Sequence, residues 1–327
     1  MVRSRRRSTV NPVVAEGGLS ALSLGTMTFG EQVDEAEAAR MVASAREAGI
    51  TMFDTADAYR AGRSEEILGK CLVGIRDEVL VASKVGLQAS NDPEDRGLRP
   101  ERIRRRIRAS LARLGTDYLD VYCLHAPDRI VPLEESLGAL TELVDEGLVR
   151  WAGVSNHAAW QIAEMRCLST WRGDARIELS QVLYNVLARR LEDEYAEYAT
   201  TTGLASVVYN PLAGGLLTGK HTRDEVPAEG RFSGSRYRER YWNDTQFDGV
   251  ARLHEIAAAA GLSLTELAIR WLRSRTVVDS VLVGASSVEQ LEGNLAAGAA
   301  GPLPADVVDA CDEVWQTVGG AAPGYNR

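Results

Sequence analysis

Eight short apolar runs, separated by stretches with a helical pattern, recur along this 327-residue chain. Several of the runs are almost continuously apolar, as parallel strands buried on both faces are. Strand–helix alternation repeated eight times favours an α/β protein folded as a (β/α)8 TIM barrel, with a doubly wound open sheet as the alternative. The predicted strands are ALSLG (21–25), TMFDT (51–55), EVLVASKV (78–85), YLDVYCLH (118–125), VRWAGVS (149–155), IELSQVLYN (177–185), ASVVYN (205–210) and DSVLVGAS (279–286).

Helix signals and an even composition favour one continuous domain. Asp34 and Ser263 have the positions of N-cap residues at the starts of amphipathic segments. Because no linker or shift in composition divides the chain, a single barrel domain is predicted over residues 1–327. Residues 1–18 are expected to form a tail or N-terminal extension, and residues 319–327 a C-terminal tail.

Charge and cysteine content exclude several classes of partner. The net charge of −9 and the pI near 5.2 disfavour nucleic acid and anionic membrane surfaces. No apolar stretch approaches the roughly 18 residues of a membrane span, so a soluble protein with no membrane partner is expected. The four cysteines form no CxxC pair or disulfide framework, which indicates a reducing cytoplasm. Cys71, Cys123 and Cys167 are predicted to be small buried residues.

Polar residues follow three successive predicted strands. Asp54 and Tyr59 follow the second strand, Lys84 ends the third and His125 ends the fourth. The carboxyl ends of barrel strands form the mouth where active sites are found, so these side chains are expected to meet there. Taken singly, each has an ordinary structural explanation, such as a helix cap, packing, a solvated lysine or a buried histidine. Their joint placement indicates a catalytic site.

The chemistry of these four residues suits the reduction of a carbonyl group. A tyrosine hydroxyl titrates near 10, and an ammonium at about 4 Å stabilises its phenolate by roughly 4 kcal/mol at an effective dielectric constant near 20. This exceeds the roughly 3 kcal/mol that lowers the pKa by two units. Lys84 is therefore expected to make Tyr59 a general acid, and Asp54 to keep Lys84 charged. Only three of the 37 basic residues are lysines, which makes Lys84 notable.

The segments around these residues resemble the aldo-keto reductase family, and most closely bacterial reductases related to the potassium-channel β subunit. The resemblance implies that Tyr59 is the acid–base tyrosine, that Lys84 and Asp54 activate it, and that His125 orients the substrate. Some channel-associated relatives lack this histidine, so its presence favours turnover. The matching segments, which extend from about residue 19 to 297, are LGTMTFG, FDTADAY, GRSEEILGK, VASKVG, DYLDVYCLH, GVSNH, SQVLYN, YNPLAGGLLTGK and VGASSVEQLEGN.

The same resemblance implies a nicotinamide cofactor. NADP(H) is expected, and NAD(H) is left open, because 284–294 contains acidic residues and no base that would hold a 2′-phosphate. Lys220 and Arg231, from the long segment after strand seven, would supply that charge. The expected contacts are Ser155, Asn156, Gln181, Tyr209 and Asp54 at the nicotinamide, Asn210, Leu212, Gly214 and Lys220 at the pyrophosphate, Gly284, Ser286, Gln290 and Asn294 at the adenosine, and in addition Thr26, Met27, Gln32 and Arg231.

The substrate is expected to be a small carbonyl compound bounded by three segments, at 126–133, 213–245 and 319–327. The stretch 211–245 is predicted to be a long irregular loop after strand seven. Its aromatic content suggests a bulky ketone, such as a secondary metabolite. The candidate pocket walls are Arg129, Tyr237, Tyr241, Trp242 and Tyr325.

Three other functions compete with this interpretation. A regulatory or scaffold subunit would bind the nicotinamide cofactor with little turnover, as channel-associated relatives do; those relatives also assemble into rings, so a homo-oligomer is one expectation. A pyridoxal-phosphate barrel would use Lys84 as a Schiff base but gives no reason for its polar companions. Metal-dependent hydrolysis lacks support because the four histidines have no HxH or HExxH spacing.

Overall fold

The computed structural model describes residues 11–89 and 95–320. Its eight parallel strands hydrogen-bond in chain order, and the first pairs with the eighth, so the sheet closes into a barrel. The predicted (β/α)8 architecture is confirmed, and closure rules out the open sheet. The strands are β1 Leu22–Gly25, β2 Met52–Asp54, β3 Leu80–Val85, β4 Leu119–Leu124, β5 Val149–Ser155, β6 Ile177–Leu183, β7 Ala205–Tyr209 and β8 Ser280–Val283.

Helices cover the outside of this barrel. The two predicted N-caps are present: the Asp34 side chain accepts a hydrogen bond from the Glu37 amide, and the Ser263 side chain accepts one from the Glu266 amide. In the described residues the α-helices are α1 Pro12–Ala15, α2 Glu35–Glu47, α3 Arg63–Cys71, α4 Pro100–Leu114, α5 Leu133–Asp145, α6 Ala159–Arg172, α7 Tyr195–Thr202, α8 Ser235–Tyr241, α9 Asp244–Ala259, α10 Leu264–Arg273, α11 Val288–Ala299 and α12 Ala305–Val318.

The interior of the barrel is a small apolar core, and it is closed at its amino-terminal end. Val13 of α1 packs against interior strand residues that include Met52 and Val121. The Asn11 side chain donates hydrogen bonds to two main-chain carbonyls at this end, 2.8 and 3.0 Å away. Asn11 and Val13 therefore cover the bottom of the barrel, while residues 1–10 lie outside the described chain.

The segment after β7 is more regular than predicted. Within 211–245, two 3₁₀ helices at Ala213–Thr218 and Arg231–Ser233 precede α8, and α9 begins at Asp244. Phe232 and Trp242 pack edge to face with ring centroids 4.8 Å apart, and His221 packs against both rings. The segment is thus a long insert after β7, as predicted, but it is partly helical and has its own aromatic cluster.

The cysteines are free thiols, as expected from their spacing. Cys123 and Cys311 are buried and Cys71 is half-buried, but Cys167 is exposed on α6, so its predicted burial is wrong. One face of α6 is toward solvent, and the apolar residues next to Cys167 in the sequence do not show which face of the helix the cysteine occupies. In the part of the chain that the structure describes, no helix is long and apolar enough to cross a membrane.

Candidate active site

The alternation of side chains along the strands places a row of polar residues inside the barrel mouth. Residues two apart on a strand share a face, so Asp54 lies on the same side as buried Met52, and Lys84 on the same side as Ala82. By the same rule His125 follows Cys123, and Gln181 follows Leu179. The strand-end residues named by the sequence therefore lie on the interior face, above the apolar core.

Lys84 is the centre of the site. Its Nζ atom donates hydrogen bonds to Asp54 Oδ2 at 2.5 Å, to the Thr55 carbonyl at 2.7 Å and to Tyr59 Oη at 3.3 Å. The Lys84 and Asp54 side chains are only 2% and 1% exposed. An ammonium group has three protons, and three acceptors surround this one. The structure brings the predicted lysine, aspartate and tyrosine together, and it adds a main-chain carbonyl that the sequence did not indicate.

The turn after β2 holds Tyr59 over the lysine. Arg60 and Ala61 have φ angles of 52° and 54°, and Gly62 follows with a φ of 92°. Left-handed backbone is unfavourable for residues with a Cβ atom, and such strain is found at functional sites when the surroundings enforce it. The turn brings the Tyr59 ring edge to face with His125, at a centroid distance of 5.8 Å. All four predicted catalytic residues thus lie together.

Burial perturbs the titration of these groups. Burial alone would lower the pKa of Lys84, but the Asp54 carboxylate and the Tyr59 phenol raise it above its usual value, so the ammonium form is secure. Burial raises the pKa of Tyr59, and the favourable charge of Lys84 opposes this effect without overcoming it. The predicted net lowering of the Tyr59 pKa is therefore wrong for this structure. Burial, with Lys84 and Arg236, lowers the pKa of His125 well below its usual value, which keeps the ring neutral.

Besides Asp54, the four residues expected at the nicotinamide are joined by hydrogen bonds to one another and to Asp54 and His125. Gln181 Nε2 donates to Asp54 Oδ1 at 2.5 Å. Asn156 Nδ2 donates to the His125 carbonyl at 2.8 Å and to Ser155 Oγ at 3.0 Å. Asn156 Oδ1 in turn accepts from the hydroxyl of Tyr209 at 2.6 Å. The amides, the hydroxyl and the aromatic ring that the sequence indicated therefore form one rim beside the four predicted catalytic residues.

Asn210 connects this rim to the insert. Its side-chain oxygen accepts from the Gly214 amide at 2.7 Å, and its Nδ2 donates to the hydroxyl of buried Tyr241 at 2.8 Å. Asn185 Nδ2 donates to the same hydroxyl at 2.9 Å. Tyr241 therefore holds the start of the insert in place, and its expected role as a pocket wall is wrong. Asn185 has no place in the sequence prediction, because only the tertiary fold brings it to Asn210.

The other residues expected at the cofactor differ in how far they are exposed to solvent. Met27 and Gln32 are exposed, as are Lys220 and Gly284, while Leu212 is half-buried. Thr26 is fully buried, and its hydroxyl is bonded to the Asp54 carbonyl at 3.1 Å and to Ser64 at 2.8 Å. Its side chain thus has no free surface for a ligand.

The adenosine end lies where β8 leads into α11. The Ser286 amide and hydroxyl both bond to Gln290 Oε1, at 3.2 and 3.0 Å, and Asn294 is buried one turn further along. A base absent from the sequence prediction is also close: Arg40 of α2 pairs with Glu37, which accepts from the Val288 amide at 2.7 Å. Arg40 comes from a neighbouring helix, so the 284–294 sequence could not reveal it.

Comparisons with known proteins agree with this geometry. A model of the aldo/keto reductase family matches residues 21–316. The chain belongs to the aldo/keto reductase family. Aflatoxin B1 aldehyde reductase member 2 of Homo sapiens is 36% identical over 323 residues, covering 93% of this chain and 89% of the human protein. A probable voltage-gated potassium channel subunit beta of Oryza sativa subsp. japonica is 36% identical over 313 residues, covering 91% and 94%. Aldo-keto reductase YhdN of Bacillus subtilis (strain 168) is 35% identical over 295 residues, covering 85% and 86%.

Family membership gives this aldo/keto reductase a carbonyl-reducing activity and a nicotinamide cofactor in general terms. The donor set matches such a cofactor, because strand-end amides and a hydroxyl can pair with a carboxamide and the Tyr209 ring offers an aromatic face. Over residues 11–89 and 95–320, no group of three or more His, Cys, Asp or Glu side chains could hold a metal ion.

The predicted pocket walls of this aldo/keto reductase separate into two groups. Arg129 is exposed beside the mouth, and Tyr237 is half-buried, its hydroxyl accepting from Arg231 Nη1 at 2.5 Å. Trp242 packs against Phe232 of the insert and Phe247 of α9, with ring centroids 4.8 and 5.1 Å apart. Tyr325 lies outside the described residues. The insert uses much of its aromatic content for its own packing, so composition no longer argues for a bulky substrate.

Proposed function

We propose that this protein reduces an aldehyde or ketone to the alcohol with hydride from NADP(H), and that Tyr59 is the general acid. The observation that carries this proposal is the arrangement of acceptors around Lys84 Nζ. Because Lys84 donates to the phenol oxygen at 3.3 Å, that oxygen is an acceptor toward the lysine and its own proton remains available. A carbonyl oxygen in the mouth would receive this proton.

The residues of the chain divide the work as follows. The cofactor, when bound, supplies hydride to the carbonyl carbon. Tyr59 gives its proton to the oxygen as negative charge develops there, and Lys84 stabilises the phenolate that remains. The raised pKa of Tyr59 keeps the phenol protonated until a stronger base, the forming alkoxide, is present. Solvent then restores the proton.

His125 orients the substrate in this scheme. Its ring is neutral because burial lowers its pKa, so it carries a single N–H. Nδ1 is buried without a hydrogen-bond partner among the described residues, which leaves Nε2 to donate to the carbonyl oxygen. A neutral donor polarises the carbonyl without competing with Tyr59 for proton transfer.

The nicotinamide would be held by Ser155, Asn156 and Gln181, with Tyr209 against the ring. Gln181 uses its amide nitrogen on Asp54, so its oxygen can accept from a carboxamide NH₂. Both ends of the Asn156 amide are bonded within the protein, so it would exchange one of these bonds on binding.

The preference for NADP(H) is part of the proposal. Arg231 and Lys220 of the insert, together with Arg40 of α2, supply positive charge around the expected cofactor path. We expect Arg40→Met to raise the KM for NADPH by about 10-fold or more and leave that for NADH unchanged, since a charge-assisted phosphate contact contributes about 1.5–3 kcal/mol. A parallel change in both values would place Arg40 away from the 2′-phosphate.

The test is oxidation of NADPH and NADH by the purified protein with a panel of aldehydes, sugars and ketones. Steady loss of reduced cofactor with at least one carbonyl, faster with NADPH, is the expected result. Tight NADPH binding without oxidation by any carbonyl, even in a single turnover, would refute the proposal and favour the regulatory subunit.

A further inference from the structure

Asp57 lies between the two catalytic residues of the DTADAY segment, yet it faces away from the barrel mouth. It is fully buried, and its Oδ2 accepts a hydrogen bond from Arg106 Nε of α4 at 2.8 Å. Arg106 Nη2 also reaches the Asp57 carbonyl at 3.4 Å. The Asp57 amide donates to the Lys84 carbonyl at 3.2 Å, so the same residue is tied to β3 and to α4. None of these contacts has a role in the chemistry described above.

A second arginine of α4 packs against the other end of the Tyr59 turn. A Cβ atom on Gly62 would lie 2.5 Å from Arg113 Nε, so the backbone here approaches the guanidinium closely. Arg113 is held by Glu65, at 2.7 Å from Nε and 2.6 Å from Nη2. Glu65 also accepts from Ser83 Oγ at 2.6 Å. Helix α4 thus contacts the turn on both sides of Tyr59, at Asp57 before it and at the left-handed Gly62 after it.

We propose that Arg106 is a positioning residue: its ion pair with Asp57 fixes the turn that holds Tyr59 Oη beside Lys84, and loss of the negative charge on Asp57 releases this turn. The inference rests on the proposed function of Tyr59. A left-handed turn needs external contacts to persist, and the Asp57–Arg106 pair is such a contact. Misplacement of a catalytic group by about 1 Å can reduce turnover by as much as 10²-fold.

The surroundings of Asp57 make its ion pair with Arg106 sensitive to pH. Burial raises the pKa of Asp57 to about 6, Arg106 and Arg102 of α4 oppose this, and Glu65 of α3 adds to it. Tyr122 of β4 also faces this group, and neither its hydroxyl nor Asp57 Oδ1 has a hydrogen-bond partner in the described residues. The carboxylate is therefore stabilised on one oxygen only. We expect kcat to fall as the pH drops below about 6, where Asp57 becomes neutral and the ion pair is lost.

The first test compares Arg106→Met with Arg108→Met. Arg108 is on the same helix, but its side chain is exposed. It pairs at 3.6 Å with Glu146, which is also exposed and is not part of the Tyr59 turn. In Arg106→Met we expect kcat to fall about 10-fold while the KM for the carbonyl and the Kd for NADPH change less than about 2-fold. Arg106→Lys should recover part of kcat. Equal kcat values in Arg106→Met and Arg108→Met would overturn the proposal.

The second test is the pH profile of Asp57→Asn. Asparagine has the size of aspartate but carries no charge at any pH, so kcat should stay at the low value that the wild type reaches in acid, and the acid limb near pH 6 should disappear. An acid limb that remains as in the wild type would overturn the proposal. This variant decides the question if Arg106→Met does not fold.

The NMR signal of Tyr59 can be measured without any catalytic turnover, so it separates this inference from the proposed reductase activity. In protein with ¹³C-labelled tyrosine Cζ, the Tyr59 resonance, assigned through Tyr59→Phe, should shift near pH 6 in the wild type and not in Asp57→Asn. A Tyr59 signal that titrates identically in both would contradict the positioning role. If no carbonyl is reduced but the predicted difference appears, the proposed function fails and the positioning device stands.

Discussion

Lys84→Met removes the ammonium that faces the Tyr59 phenol and keeps a side chain of similar length. Unit charges 3.3 Å apart interact by about 5 kcal/mol at an effective dielectric constant near 20. If about half of the phenolate charge has developed when the proton is in flight, the transition state loses about 2–3 kcal/mol. This predicts a fall in kcat of about 10²-fold, within the usual range for general acid catalysis. Single-turnover oxidation of NADPH measures the step directly.

The Lys84→Met variant needs two controls. Asp54 would be left as a buried carboxylate without its cation, which costs about 3–5 kcal/mol of stability, so folding must be verified by thermal unfolding. The double variant Lys84→Met/Asp54→Asn removes this imbalance and should be as inactive. Lys70→Met is the matched control, because Lys70 is exposed and pairs only with surface Glu35 at 2.8 Å among the contacts described. A folded Lys84→Met protein with kcat within about 3-fold of Lys70→Met would refute the reasoning.

Four further predictions test neighbouring parts of the molecule. Tyr59→Phe should lower kcat by 10²-fold or more with an unchanged Kd for NADPH, measured by fluorescence titration, and wild-type rates would contradict its role. Lys84→Arg should be similarly impaired although it retains charge, because a planar guanidinium has no nitrogen with three protons; near-normal turnover would show that charge alone suffices. Burial lowers the pKa of His157 to about 4, so protonation below 6.5 favours the unfolded chain. The wild type should lose about 3 kcal/mol of unfolding free energy between pH 7 and pH 4 that His157→Asn does not lose, whereas His254→Asn, at an exposed position, should behave as the wild type in urea titrations. Tyr241→Phe leaves two asparagine amides without their acceptor and should lower the unfolding free energy by about 1–3 kcal/mol and raise the KM for NADPH; an unchanged KM would separate the insert from cofactor binding.

The sequence was sufficient to predict the strands and the common location of Asp54, Tyr59, Lys84 and His125, because both predictions follow from simple rules. A buried parallel strand is apolar over its length, so β3 and β4 are visible as short apolar runs. Alternation then assigns Lys84 and His125 to the interior, and the barrel places strand ends together. These inferences need only the local residue pattern of each strand and the general rule that strand ends meet at the mouth of a barrel.

The features that the sequence did not reveal depend on contacts between distant elements. Arg106 meets Asp57 across 49 positions, and Glu37 meets Val288 across 251. The net rise in the pKa of Tyr59 is another such feature, because it depends on how deeply the finished fold buries the ring. The charge of Lys84 can be read from the sequence, but the burial that opposes its effect on the Tyr59 pKa cannot.

The distribution of the two basic residue types follows from the same geometry. In the outer layer, some acidic side chains are met by arginines that bond through two nitrogens at once, as Arg113 does with Glu65 and Arg104 with Glu142. Inside the mouth, three acceptors converge on one nitrogen at 2.5, 2.7 and 3.3 Å, and a tetrahedral ammonium satisfies all three. A guanidinium in this space, which is almost closed to solvent, would direct its donors along a plane and leave some unpaired. A chain that otherwise uses arginine almost throughout therefore has a lysine where three acceptors converge on a single nitrogen.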